Sequence, residues 1–280
     1  MRRIGVHISI AGGMHLSLDR ARELGCSTLQ IFSHNPRGWA VKEISDKEAS
    51  LFKSVREQSK IAPVFIHASY LINIASAVPL LRKKSIELLA IEMERADRIG
   101  ADYVILHPGS ASEDNAGSAR KRAVHALREV AAMGSWNAAL LIENTAGERG
   151  DISSGIRDCA DILGGVKGRL LAGICFDTCH AFAAGYDIRT AQIIREISED
   201  IKKYVGPDAL KIIHLNDSKG DLGSHRDRHE HIGCGKIGAE GLGKFIRHAS
   251  FRDIPLILET PKKNPTDDPM NLVKVREMLK

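Results

Sequence analysis

The 280 residues are predicted to form an α/β fold, a single-domain (β/α)₈ barrel, on three observations. Short runs rich in β-branched residues alternate with longer segments of helical periodicity, which implies parallel strand pairing. Eight such runs can be counted, and that number favours closure into a barrel over an open doubly wound sheet. Most of the runs end in a side chain able to bind a metal or move a proton, as expected where strand ends gather at one mouth. A barrel of this kind commonly uses about 250 residues as one domain, and no Pro- or Ser-rich linker divides residues 1–280.

The first run is 4–9 and the second 28–33, the latter followed by a helical segment at 46–60. Run 64–67 precedes the clearest helix, 80–99, whose Ile86, Leu89, Ala90, Met93 and Ala96 recur at helical spacing before Gly100 ends it. Run 103–107 leads to a helix at 118–132, and run 139–143 follows. Run 172–177 leads to a helix at 190–204. After run 212–216 comes a long interruption, 218–236, with four Gly and three His, a composition that reads as a functional loop. A helix at 239–248 and a last run at 256–259 complete the set.

Composition narrows the class. Hydrophobic residues make up 43% and charged residues 27%, with nine prolines, so a substantial core is available and disorder is excluded. The excess of 40 Lys and Arg over 35 Asp and Glu gives +5, which permits a polyanionic partner without demanding one. Five cysteines with no CxxC pair suit a reducing compartment better than a disulfide framework. Arg2 and Arg3 precede an apolar stretch broken by His7 and Gly12, neither a signal peptide nor a membrane span. The expectation is a cytoplasmic protein with no membrane partner, and a monomer by default.

Carboxyl ends of barrel strands face the active-site mouth. Six consecutive strands then deliver His67, His107, Glu143, Asp177, His214 and Glu259. One buried histidine alone is more often a packed core residue than a ligand, but six donors in phase are a different matter. His180, in the string FDTCH, and Asp227 with His229, in DRHEH, extend the set to nine. Mixed imidazole and carboxylate donors suit Zn²⁺, and also Mn²⁺ or Fe²⁺, better than Ca²⁺. Zinc is favoured. Nine donors exceed one tetrahedral ion, so two or three cations are implied. Such a cluster can neutralise the attacking and leaving oxygens of an in-line displacement at phosphorus.

The strings HPGS at His107, ENTAG at Glu143, FDTCHAFAAGYD, HLNDSK at His214, DRHEHIGCGKIG and ETP at Glu259 resemble endonuclease IV, the family 2 apurinic/apyrimidinic endonucleases. With GVHIS and AGG near the N-terminus, the resemblance spans nearly the whole chain. It implies a TIM barrel holding three zinc ions, with Mn²⁺ possible at one or more sites. Its implied ligand sets are His67, His107 and Glu143; Glu143, Asp177, His214 and Glu259; and His180, Asp227 and His229. The implied substrate is double-stranded DNA containing an abasic site, hydrolysed on the 5′ side to leave a 3′-hydroxyl and a 5′-deoxyribose phosphate. Glu143 would bridge two metals and Glu259 would help orient or deprotonate water, so both count as catalytic.

By the same resemblance the HNPRGW stretch and SYL are lesion-reading loops. Asn35, Arg37, Tyr70 and Leu71 become the DNA-binding candidates, with Arg37, Tyr70 and Leu71 entering the duplex and Asn35 contacting the backbone. One departure is visible: Ala68 stands where the family form HDSY has an acid, which bears on how His67 is oriented. His7 is expected to support the site from behind. His225, His231 and Cys179 are expected to be bystanders. The alternative is a xylose isomerase-like divalent-metal sugar isomerase or epimerase, for which about four protein ligands suffice, leaving DRHEH, His67 and His107 surplus. A closed structural zinc site is disfavoured because such sites are typically rich in cysteine.

Overall fold

A computed structural model describes residues 2–280. Eight parallel strands make the barrel: β1 (Ile4–Val6), β2 (Leu29–Phe32), β3 (Val64–His67), β4 (Tyr103–Leu106), β5 (Ala139–Glu143), β6 (Leu171–Asp177), β7 (Leu210–His214) and β10 (Leu256–Leu258). Their order is β1-β10-β7-β6-β5-β4-β3-β2. A two-stranded antiparallel ribbon, β8 (Asp217–Ser218) with β9 (His229–Glu230), folds over the mouth from the segment expected to be a functional loop.

The sheet closes where β1 meets β2. There His7 bridges Gln30, and the Ile8 amide donates to the Gln30 carbonyl at 2.7 Å. Gly5 makes the approach possible, because a Cβ at that position would lie 1.9 Å from the Thr28 carbonyl oxygen.

Period-two alternation positions the site. Phe65, Ile105, Leu141, Cys175, Ile212 and Ile257 form a core cluster of their own inside the barrel. Each lies two residues before one of the six expected donors, so donor and core residue share the inner side of their strand. The intervening residues Ile66, Leu106, Ile142, Phe176, Ile213 and Leu258 belong to the larger outer core under the helices. One apolar layer thus floors the mouth while a second glues the helices to the barrel.

The helices are α1 (Leu16–Glu23), α2 (Asp46–Ser59), α3 (Pro79–Ile99), α4 (Ala116–Met133), α5 (Ile156–Gly164), α6 (Thr178–Ala183), α7 (Ala191–Asp200), α8 (Gly238–Arg247) and α9 (Asp267–Met278). Ser45 starts α2 with a capping box: its hydroxyl accepts from the Glu48 amide while Glu48 reaches back to the Ser45 amide. Gly100, at φ 71°, ends α3.

All eight expected strands are present, but several are trimmed. His7 is a lone bridge beyond β1, and His107 and Glu259 sit just past the ends of β4 and β10. The helix expected at 190–204 is two pieces, α7 and a π-helical turn over Ile201–Val205. Among the described residues no helix is long and apolar enough to cross a membrane.

Candidate metal centre

The nine expected donors converge. Glu143, at the end of β5, is fully buried, and its Oε2 lies 3.0 Å from His107 Nε2 and 3.3 Å from His67 Nε2. Its other oxygen lies 2.9 Å from His214 Nδ1, and that nitrogen is 3.2 Å from Glu259 Oε2 and 4.0 Å from Asp177 Oδ2. Asp227 Oδ1 stands 3.3 Å from His180 Nε2 and 3.2 Å from His229 Nε2. The donors fall into three groups: His67, His107, Glu143; Glu143, Asp177, His214, Glu259; and His180, Asp227, His229. Within each, the ligand atoms lie within 4.8 Å of one another. Glu143 is common to the first two. His229 Nε2 is also 3.6 Å from Asp177 Oδ2, which joins the third group to the second.

The imidazoles are aimed. His67, His180 and His229 each place Nδ1 on a backbone carbonyl, that of Ala68 at 2.8 Å, Asn144 at 2.9 Å and Glu259 at 3.0 Å. A carbonyl can only accept, so Nδ1 carries a proton and Nε2 is the nitrogen turned toward the acids, the one able to ligate a cation. His214 is reversed: its Nε2 meets Gln30 Oε1 at 2.7 Å, leaving Nδ1 toward Glu143 and Glu259. The Gln30 amide orientation is itself set by its Nε2 donating to Glu259 Oε1 at 2.6 Å. Ala68 therefore does not leave His67 unsupported, since the backbone carbonyl does the orienting.

Four buried atoms here, His107 Nε2, Glu143 Oε2, His180 Nε2 and His229 Nε2, have no hydrogen-bond partner. The His107 and Glu143 pair is 3.0 Å apart without the alignment of a hydrogen bond. Buried polar atoms are rarely left so, and imidazole and carboxylate lone pairs converging on common points are what a cation needs. The donor set fits a metal centre.

The electrostatics agree. Burial pushes the Glu143 carboxyl up, but His214 and His107 outweigh it and hold it well below the carboxylate range. Glu259 is held low in the same way, against burial, chiefly by His214 and the neighbouring His7. His180 is raised well above its ordinary value, because Asp177 and Asp227 overcome the opposing effect of burial. Burial pushes the Cys175 and Cys179 thiols up to about 12, so both are neutral at ordinary pH and poor donors although they border the groups.

Three supporting residues escaped sequence reasoning. Gln30 is described above. Asn216 donates from Nδ2 to Asp177 Oδ2 at 2.6 Å and accepts from the Glu259 amide at 2.8 Å. Asn144 accepts from the Asp177 amide at 2.7 Å and returns Nδ2 to the Asp177 carbonyl at 3.1 Å. Both asparagines directly or nearly follow strand ends, inside ENT and HLN, which was the available signal. His7 does sit behind the site, 2.9 Å from Gln30 Nε2 and 3.7 Å from Glu259 Oε1. His231 pairs instead with Asn271, and neither it nor His225 joins a donor group.

The centre opens into a cavity of about 270 Å³ lined by His67, His107, His180, Asp227, His229 and Glu259 among others. Tyr70 stands at its rim, 61% exposed, with its ring 5.2 Å from Phe32 and 5.9 Å from His67. Leu71 beside it is half-buried. Asn35 and Arg37 are exposed on the loop after β2 and do not line the cavity.

The xylose isomerase-like TIM barrel family matches residues 18–280. A protein of Halothermothrix orenii named "Probable endonuclease 4" is 42% identical over 273 residues, covering 98% of each chain. One of the same name from Methanoculleus marisnigri is 42% identical over 276 residues, again covering 98% of each. Among solved structures, endonuclease IV from Thermus thermophilus superposes with a TM-score of 0.86 at 37% identity, over 99% of this chain and 98% of that one. With the fold and the donor cluster in place, this chain belongs to the endonuclease IV family of enzymes, within the xylose isomerase-like TIM barrels.

Proposed function

We propose that this protein is a zinc-dependent apurinic/apyrimidinic endonuclease of base excision repair. It would hydrolyse the phosphodiester 5′ to an abasic site in duplex DNA, leaving a 3′-hydroxyl and a 5′-deoxyribose phosphate. The observation that carries the reading is Glu143, buried and shared between two donor groups at the floor of an open cavity. The ligand sets are the three groups above, one zinc to each, with Mn²⁺ able to take similar mixed sites. When bound, the cations supply Lewis-acid stabilisation of the phosphoryl oxygens and an activated water.

The chain's own residues do the rest. Glu143 holds two neighbouring sites at a common carboxylate. Glu259, kept ionised by His214 and His7, orients the attacking water and accepts a proton from it. Gln30, Asn144 and Asn216 hold donors in place before substrate arrives, which is how a site acts without reorganising during the reaction. Tyr70 and Leu71 fill the gap left by the missing base, Arg37 enters from the neighbouring loop, and Asn35 meets the backbone. Filling that gap lowers the cost of kinking DNA and swinging the sugar outward.

A duplex oligonucleotide carrying one tetrahydrofuran abasic analogue tests the proposal, with metal analysis of the same protein. Expected are a single nick 5′ to the analogue, a 3′-hydroxyl terminus and close to three zinc ions per chain. Sugar turnover without strand cleavage would overturn it in favour of the isomerase reading.

A further inference from the structure

The loops proposed to read the lesion arise from different strands, yet one buried carboxylate on a helix holds both. Glu92 lies within α3 and is 1% exposed. Its Oε2 accepts from the Ser33 hydroxyl at 2.7 Å, and its Oε1 from His34 Nε2 at 2.9 Å. Those two residues begin the loop that bears Asn35 and Arg37. The same Oε1 accepts from the Ser69 amide at 3.0 Å, immediately before Tyr70 and Leu71. Ser69 completes the arrangement, since its hydroxyl donates to the Pro36 carbonyl at 2.7 Å and accepts from the Leu71 amide at 3.3 Å. Arg95, one turn along α3, donates to the Ser33 hydroxyl at 3.1 Å and to the Lys42 carbonyl at 2.6 Å, gripping the far side of the first loop.

A buried carboxylate needs hydrogen-bond donors in place of water, and leaving it without them carries a large desolvation cost. Here all three donors come from the two loop bases and none from α3 itself. Moving either loop alone would strip the carboxylate of a partner, so the loops have one joint low-energy position. Glu92 bonds to none of the nine metal donors; it comes nearest at the Ala68–Ser69 peptide, whose amide donates to Glu92 and whose carbonyl accepts from His67.

We infer that Glu92 is a positioning residue for substrate recognition, coupling the Arg37 loop to the Tyr70 and Leu71 loop so that they engage the duplex as one unit. The inference rests on the proposed function, and its test separates the two. Hydrogen exchange at the amides of His34, Asn35, Arg37, Gly38 and 69–71 needs no DNA, while incision of tetrahydrofuran duplex by the unaltered protein tests the function alone.

In the metal-loaded Glu92→Ala protein both loops should exchange faster together. KM for the abasic duplex should rise about tenfold with kcat changed less than about threefold, and metal content should be unchanged. Glu92→Gln, which keeps an acceptor for the Ser69 amide, should recover most of the KM. Unchanged exchange, loosening of one loop only, or an unchanged KM overturns the inference. So does a loss of kcat or metal in step with KM, which would mark Glu92 as an ordinary structural residue. Should the alanine variant not fold, Ser69→Ala decides. Removing the bond to Pro36 must then raise KM by about threefold at constant kcat, and an unchanged KM refutes the coupling.

Discussion

Gln30 Oε1 accepts from His214 Nε2 at 2.7 Å across the inside of the barrel, while Gln30 Nε2 donates to Glu259 Oε1 at 2.6 Å. One amide therefore sets the tautomer of an imidazole and the orientation of a carboxylate in the same donor group. Replacing Gln30 with Ala should lower the affinity of that group for zinc by about 10- to 100-fold, the usual effect of removing an orienting partner. Competition with a chromophoric chelator measures this, and unchanged affinity would show that packing alone orients His214.

Glu143→Ala removes the carboxylate common to two groups. Incision should fall by at least about 10³-fold, since several kcal/mol of transition-state stabilisation would go with the two cations proposed to share it. Circular dichroism should still report a folded barrel, because Leu141 and Ile142 keep β5 in both core layers. A near-normal rate would place the shared ligand elsewhere.

The cation-free protein should have a distinctive pH dependence. His180 and His214 are held well above their ordinary value near 6.5, against the opposing effect of burial, by Asp177 and Asp227 for the first and by contact with the Cys175 sulfur and the charges of Glu259 and Glu143 for the second. A histidine raised on folding contributes stability fully present below its unfolded pKa and lost as pH rises through the folded one. Without metal, the Tm contribution of these groups should thus decline above about pH 6.5. With metal the same nitrogens must be deprotonated, so the gain in Tm on adding zinc should grow over that range. Calorimetry of chelated and reloaded protein checks the sign, and a gain that shrinks with rising pH would contradict it.

Tyr70→Ala should weaken discrimination between abasic and intact duplex by about tenfold, roughly one stacking contact, with zinc content untouched. Competition binding against undamaged DNA supplies the measurement. Equal loss of zinc would mean that Tyr70 supports His67, whose ring it approaches, and does not act as a wedge.

Gly5→Ala should destabilise the barrel by about 3 kcal/mol or more through overpacking at the seam, because the added methyl meets the Thr28 carbonyl. Chemical denaturation reads the change. A cost under about 1 kcal/mol would indicate that β1 and β2 can part without consequence.

The barrel and the six strand-end donors were legible before any coordinates because they depend on a local rule, whereas His180 in α6, Asp227 in a loop and His229 in β9 could be read only from the strings FDTCH and DRHEH. In a strand, residues two apart share a side, so an apolar run ending in His, Asp or Glu announces a donor above a floor, as Ile105 below His107 and Ile212 below His214 bear out. The longer helices were legible for a similar reason. The fully buried α6 offers no polar face to create a period, and α9 exposes Met270 and Val273 while burying Leu272 and Val275, which blurs one. Donor orientation followed no local rule. Gln30 and His214 are 184 residues apart, and only the stagger with which the sheet closes at Gly5 brings them face to face. The Ala68 carbonyl stands in for a side chain the sequence lacks, and a backbone atom leaves no trace in a motif. Glu92 looked like one more charge on a helix until folding buried it beneath two loops. Residue alternation tells which groups face inward, whereas hydrogen bonds between distant strands tell how they are aimed, and those exist only once the ring is shut.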